Sequence, residues 1–191
     1  SVDVYHFDRQ KLYVPSNTRT KISSSQDAAI FLSQQKRGTN DKIHALILDR
    51  SNTINRYVLL DGNLNTSELI SVLTSEVAKH GDSVILSSNG NIPNIQKINK
   101  NLKLIDSRIL DVLTVKQDAD IVNNYKSMAD EGLLLEPEQI YGKESIPSTI
   151  TVNGVERPTT NSKGQVIHPT LEGIENFWKW FGDSKVVDEQ G

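Results

Sequence analysis

The residues best equipped for chemistry in this sequence are spread thinly. Its four histidines, His6, His44, His80 and His168, fall in separate segments, with no pair at i, i+4 and no His-x-His. Metal sites draw on several such ligands converging on one point. There is no cysteine, which excludes thiolate metal sites, a cysteine nucleophile and disulfide staples. Each histidine therefore reads as structural: His44 in a strand, His80 as a cation at a helix C-terminus, His168 in a loop before Pro169. Ser87 and Ser88, followed by Lys97, have the residue types of a Ser–Lys nucleophile pair, although a Ser-Ser turn is the plainer reading. Asp118 with Asp120, and Glu136 with Glu138, are carboxylates two residues apart. At a helix start and in a loop they serve the helix dipole and solvent better than proton transfer. Asn89-Gly90-Asn91 is a turn of residues that tolerate left-handed geometry, not a glycine loop that cradles phosphate.

Charge narrows the function further. Twenty-one Lys and Arg are scattered among 24 acids, for a net charge of −3 and a pI near 5.8. No basic block exceeds Lys36-Arg37, so nucleic-acid binding is possible but unsupported by charge. No apolar run approaches the ~20 residues that span a bilayer, and no signal-peptide pattern opens the chain. Ser1-Val2-Asp3 at one end and Asp188-Glu189-Gln190-Gly191 at the other read as ends cut from a longer protein. With 191 residues the chain can bury one proper core and carry a substantial appendage.

Periodicity supplies the elements that must position any site. Val2 to Val14 alternates loosely, as an edge hairpin does. Ser23-Ser24-Ser25 caps a short helix carrying Ala28, Ala29 and Leu32. Ile43–Leu48 is apolar enough for a central strand; Asp49 to Asn52 turn, and Thr53 to Leu60 return. Asn65 with Glu68 forms a capping box, and Leu69, Ile70, Leu73, Val77 and Ala78 then share one helical face up to the stop at Gly81. Val84-Ile85-Leu86 is a buried strand running into the polar loop Ser87 to Asn91. A short helix is expected over Pro93 to Lys100, strands near Leu102–Ile105 and Arg108–Val115, and a helix from Asp118 to Glu131 closed by Gly132. The order predicts one α/β sandwich of mixed sheet and packed helices.

Beyond Gly132 prolines recur at Pro137, Pro147, Pro158 and Pro169. Thr149 to Arg157, turning at Asn153-Gly154, is a type I′ hairpin signal, and Asn161 to Gly164 a second turn. Thr170 caps a helix through Leu171, Ile174, Phe177 and Trp178, ended by Gly182. The aromatic side chains Phe177, Trp178, Trp180 and Phe181 mark it as a docking element.

From about Ser23 to Val115 the segment order resembles the RadC branch of the JAB/MPN metallo-hydrolases. Ala45 to Arg50 resembles that family's leucine–aspartate strand and turn, and Asp61 to Asn65 its turn before the long helix. Val84 to Asn91 stands where the family carries its His-x-His-Pro zinc loop, and Leu104 to Ile109 where it has a later strand. The resemblance implies zinc held by two His and one Asp, with an upstream Glu as base for the attacking water. Here Ser88 and Gly90 fill the two histidine places, Lys97 falls near the aspartate place, and the Glu place lies around Tyr57-Val58. Asp106 is kept, with Ser107 in place of a His. Separately, Asn176 to Asp188 resembles the leading segment of ADP-ribosyltransferase-like domains in phage and prophage polyvalent proteins. The Tyr-His-Gly-Thr dinucleotide motif of those domains is absent, so transferase activity does not carry over.

These readings lead to definite expectations. The fold is a JAB/MPN (cytidine-deaminase-like) α/β sandwich, with an edge segment over 1–22, the domain proper over 23–132, and an extended hairpin-and-helix tail over 133–191. The degenerate cleft comprises Ser87, Ser88, Asn89, Gly90, Lys97 and Asp106. No catalytic residue, metal or cofactor is expected. The function is a binding or structural module of a phage or prophage multidomain protein, partnered by another protein or by other domains of its own chain, in the bacterial cytoplasm or on a virion. Two alternatives stand beside it: a hydrolase or nuclease rebuilt on Asp61, Ser88, Lys97 and Asp106, and a targeting region of an ADP-ribosylating effector.

Overall fold

A computed structural model describes residues 11–12, 19–35, 41–116, 124–134, 147–152, 154–160, 162–163, 174 and 176–180. The described elements, in chain order, are β1 (Lys11–Leu12), α1 (Ser25–Ser33), β2 (Lys42–Leu48), β3 (Ile54–Asp61), α2 (Thr66–His80) and β4 (Ser83–Ser87). They continue with α3 (Ile95–Lys103), β5 (Ile109–Val115), β6 (Tyr125–Ser127) and a separate hairpin of β7 (Thr149–Val152) and β8 (Val155–Pro158). The main sheet has six strands in the order β1-β3-β2-β4-β5-β6, the first only two residues long. It is mixed: β4 and β5 are parallel, and every other pairing is antiparallel.

Sequence alternation divides the core into two layers. Ile43, Ala45 and Ile47 of β2 face one side with α2 and α3, while Leu46 and Leu48 face the other with α1. The two crossovers, β3 to β4 through α2 and β4 to β5 through α3, step the same way along the sheet. A fixed crossover hand then places both helices on one face. The central strand β2 is buried over six successive residues because helices cover both its sides.

The long helix forms as its sequence predicts. Asn65 accepts from the Glu68 N–H at 2.9 Å, and Glu68 accepts from the Asn65 N–H at 3.1 Å. Its buried stripe is Leu69, Val72, Leu73, Glu76 and Val77; Ile70 is half-buried and Ala78 is exposed, so the expected face is rotated toward Val72 and Glu76. Glu76 is there to meet Arg56 of β3, Nε to Oε2 at 3.2 Å, in a pair almost wholly removed from water. Gly81 ends the helix in extended geometry, φ −167°, and its need is spatial. A Cβ at that position would stand 2.7 Å from the Leu48 carbonyl oxygen.

Three expectations are corrected. Leu102–Ile105 is not a strand. Ile95, Ile98 and Leu102 share a buried helical stripe, so α3 runs on to Lys103 and ends in a turn that leaves Leu104 80% exposed. The span from Asp118 to Glu131 does not form one helix: Tyr125–Ser127 is an edge strand on β5, followed by turns to Leu134. Gly132 does adopt the left-handed φ, +70°, of a chain reversal. Finally, Leu104 to Ile109 begins as a turn, with Asp106 at φ +57°, rather than a strand.

The expected I′ hairpin pairs Val152 with Val155, and Gly154 has φ +78°. Residue 174 and residues 176–180 are helical. The edge hairpin expected over Val2 to Val14 lies outside the described residues apart from Lys11–Leu12, and His6, His168 and Phe181 lie outside them too. Leu133 and Phe177 belong to the same core cluster as β2 and β4, so packing continues across the expected boundary at residue 132.

Candidate functional site: the carboxyl end of the parallel strands

Open α/β sheets offer a crevice beyond the carboxyl ends of their parallel strands. Here that end is built from the loop after β4. Ser87 closes the strand between His44 of β2 and Leu113 of β5, and is buried. The Ser88 N–H donates to the Leu113 carbonyl at 3.1 Å, and its Oγ accepts from the Gly90 N–H at 3.0 Å. Asn89 Oδ1 accepts from Thr114 Oγ1 at 3.3 Å, which ties the loop to β5. Asn94 then takes the left-handed conformation, φ 58°, and turns its side chain to Thr66 Oγ1 at 2.9 Å instead of capping α3.

A groove of about 670 Å³ opens beside this loop. That size is typical of ligand clefts. Its apolar surface comes from Ile92, Ile95, Met128, Leu133, Ile174 and Trp178, and its polar edge from Asn91, Asn94, Gln96, Lys97 and Lys179. Phe177, 1% exposed, pins the last helix into the core, and its ring meets Trp178 edge-on at 5.0 Å. Trp180 lies under two cations, Lys116 Nζ at 5.3 Å and Lys126 Nζ at 5.9 Å from its centroid. Of the expected docking residues, Phe177 and Trp178 pack with this chain's own core and Trp180 lies beneath the two lysines.

The opposite wall depends on Asp111, whose role sequence reasoning missed. A bulge in the β4–β5 ladder pairs Val84 with Ile109 and Ile85 with Asp111. The displaced register gives Asp111 a buried carboxylate that gathers the chain after β6. Oδ1 accepts from the Val112 N–H at 2.7 Å and the Ala129 N–H at 3.0 Å, and Oδ2 from Ser127 Oγ at 2.6 Å. That turn delivers Met128 and Leu133 to the groove. Burial raises the Asp111 pKa above the ordinary carboxylate value, against the lowering effect of those three bonds. The signal in the sequence was a single acid inside the apolar run Ile109-Leu110-Asp111-Val112-Leu113.

The sequence-predicted cleft divides in two. Ser87, Ser88, Asn89 and Gly90 sit together at the carboxyl end of β4, and Lys97 lines the groove that opens there. Asp106 does not join them. Its neighbour Ser107 donates from Oγ to the Asp82 carbonyl at 2.7 Å, at the start of β4, so Asp106 lies a strand length away. That is roughly 16 Å at ~3.3 Å per residue. Asp61 shares the edge with Ser88 but lies two strands over, roughly 10 Å away, with Oδ1 accepting from the Asn63 N–H at 2.9 Å. The set Asp61, Ser88, Lys97 and Asp106 therefore does not converge on one point.

The residues at the place that the resemblance assigns to zinc do not fit the ion. Ser88 Oγ is engaged by the Gly90 N–H, Gly90 has no side chain to offer as a ligand, and Lys97 brings a positive charge to the adjoining groove. Among the described residues no group of three or more His, Asp or Glu is placed to hold a metal. On the far face of the sheet, His44 Nδ1 and Tyr57 Oη are 2.5 Å apart and buried, with Phe31 edge-on to the Tyr57 ring. Burial raises the Tyr57 pKa well above its ordinary value, which suits a structural phenol. No described helix is long and apolar enough to cross a membrane. No family model matches this chain, and no curated protein sequence matches it.

Proposed function

We propose that this chain is a metal-independent binding module: a RadC-like JAB/MPN-type domain, from a phage or prophage multidomain protein, that holds a protein partner or another part of its own chain. The observation that carries the reading is the groove at the carboxyl end of β4 and β5. Its walls are apolar, its edge is amide and lysine, and in the loop after β4 Ser88 Oγ accepts from the Gly90 N–H while Asn89 Oδ1 accepts from Thr114 of β5. Such lining favours complementary contact over bond-making: among the described residues it holds no His, acid, Ser or Thr, and its two lysines have no such partner in the groove's lining. Further support comes from the element order of helix, two strands, helix, strand, helix and strands, which is what the resemblance implies. A bacterial cytoplasmic or virion setting follows from the same resemblance.

Calorimetric titration of zinc into the purified protein tests the proposal. The expected result is no stoichiometric binding. A tight one-to-one isotherm that Ser88→Ala weakens would overturn it.

A further inference from the structure

The groove's chemistry is asymmetric. Among the described residues its lining includes two lysines, Lys97 and Lys179, and no acid, in a chain whose net charge is −3. Exposed Lys100 and Lys103 continue the positive face of α3 from Lys97. The donors lean the same way. Gln96 Nε2, on a residue lining the groove, is buried and lacks an acceptor among the described residues. The first turn of α3 has no side-chain cap, because Asn94 points to Thr66. First-turn N–H groups and the helix dipole both favour an incoming acceptor, most of all a negative one. Beside these donors stands a sizeable apolar surface of Trp178, Ile174, Met128 and Leu133.

Resting on the groove's reading as a binding surface, we infer that its occupant is an acidic peptide segment with an apolar anchor. The anchor side chain seats against Trp178 and Leu133. Flanking carboxylates face Lys97, Lys179 and the α3 N-terminus. Charge complementarity selects this occupant over a neutral or basic segment. It contributes modestly to affinity and more to discrimination.

The test uses the full chain labelled with nitrogen-15 and three short synthetic peptides. All share one Leu-Phe anchor, flanked by Asp and Glu, by Asn and Gln, or by Lys. The acidic peptide is expected to shift the amides of Asn91 to Lys97 and the Trp178 indole N–H saturably, and to weaken as salt rises. In a Lys97→Glu, Lys179→Glu variant, both sites being exposed, its affinity should fall about tenfold or more and the Lys-flanked peptide should gain. Equal binding of all three peptides at the groove would overturn the charge assignment while leaving a binding groove in place. No shift at these amides with any peptide would overturn both. Concentration-dependent self-association mapped to the same amides would assign the surface to a second copy and also refute the inference.

Discussion

Replacing Phe177 by Ala asks whether the last helix is an integral wall or a docked one. The side chain is 1% exposed, and deleting such a phenyl from a rigid site costs about 3–5 kcal/mol. The helix has another option. Its gross docking comes from Phe177, worth ~2–3 kcal/mol when fully buried, from half-buried Trp178 and Ile174, and from the two lysines over Trp180 at roughly 0.5–1 kcal/mol each. Fixing backbone costs ~1 kcal/mol or more per residue, so docking of this short helix nets close to zero. Lifting off should then be cheaper than keeping a cavity. Urea unfolding of Phe177→Ala, followed by far-ultraviolet circular dichroism, should show a loss below about 3 kcal/mol. Hydrogen exchange should show residues 176–180 unprotected, and the groove should lose peptide affinity with its Trp178 wall. A full 3–5 kcal/mol loss with those amides still protected would refute the reasoning.

Other substitutions probe the supports beneath the groove. Asp111→Asn keeps Oδ1 to accept from Val112 and Ala129 and can donate to Ser127, while removing a buried charge. The Asp111 pKa is raised in the folded state, so wild-type stability rises as pH falls through that value. The Asn variant should therefore match or exceed wild type at pH 7, with the difference vanishing toward pH 4, as read from thermal melts across pH. Glu76→Gln removes the carboxylate facing buried Arg56 and should cost about 3–5 kcal/mol in denaturant unfolding, whereas Arg56→Met with Glu76→Leu should recover most of it. Gly81→Ala should destabilise by about 1–3 kcal/mol in the same assay. Its extended φ suits any residue, so the cost arises from the Cβ meeting the Leu48 carbonyl and Ile47.

Local signals in this chain were readable wherever one physical cause dominated. The Asn65–Glu68 capping box, the Asn-Gly hairpin and the apolar run of β2 each answer to a single rule, and each element formed. The misreadings lie where two rules compete. Leu102 to Ile105 is apolar enough for a strand, but only Leu102 continues the Ile95, Ile98 stripe, and packing of that stripe extends the helix. Tyr125 to Ser127 sits in a stretch with helical composition, yet the open edge of β5 and the Asp111 carboxylate claim it for the sheet. The family resemblance groups Asp106 with Ser88, whereas the parallel β4–α3–β5 crossover sends them to opposite ends of the sheet. The groove itself was illegible for the same reason. Its walls come from residues near 92, 128 and 178, and no local pattern records that meeting.

What the loop after β4 can hold decides whether this domain is a metal-independent binding module. Crystals grown with millimolar zinc and measured on both sides of the zinc absorption edge test it most directly. The prediction is an anomalous map with no ordered site within bonding distance of Ser88, Asn89 or Asn91. A strong peak there, coordinated by protein atoms with a water completing the shell, would contradict the reading of this domain as a binding module.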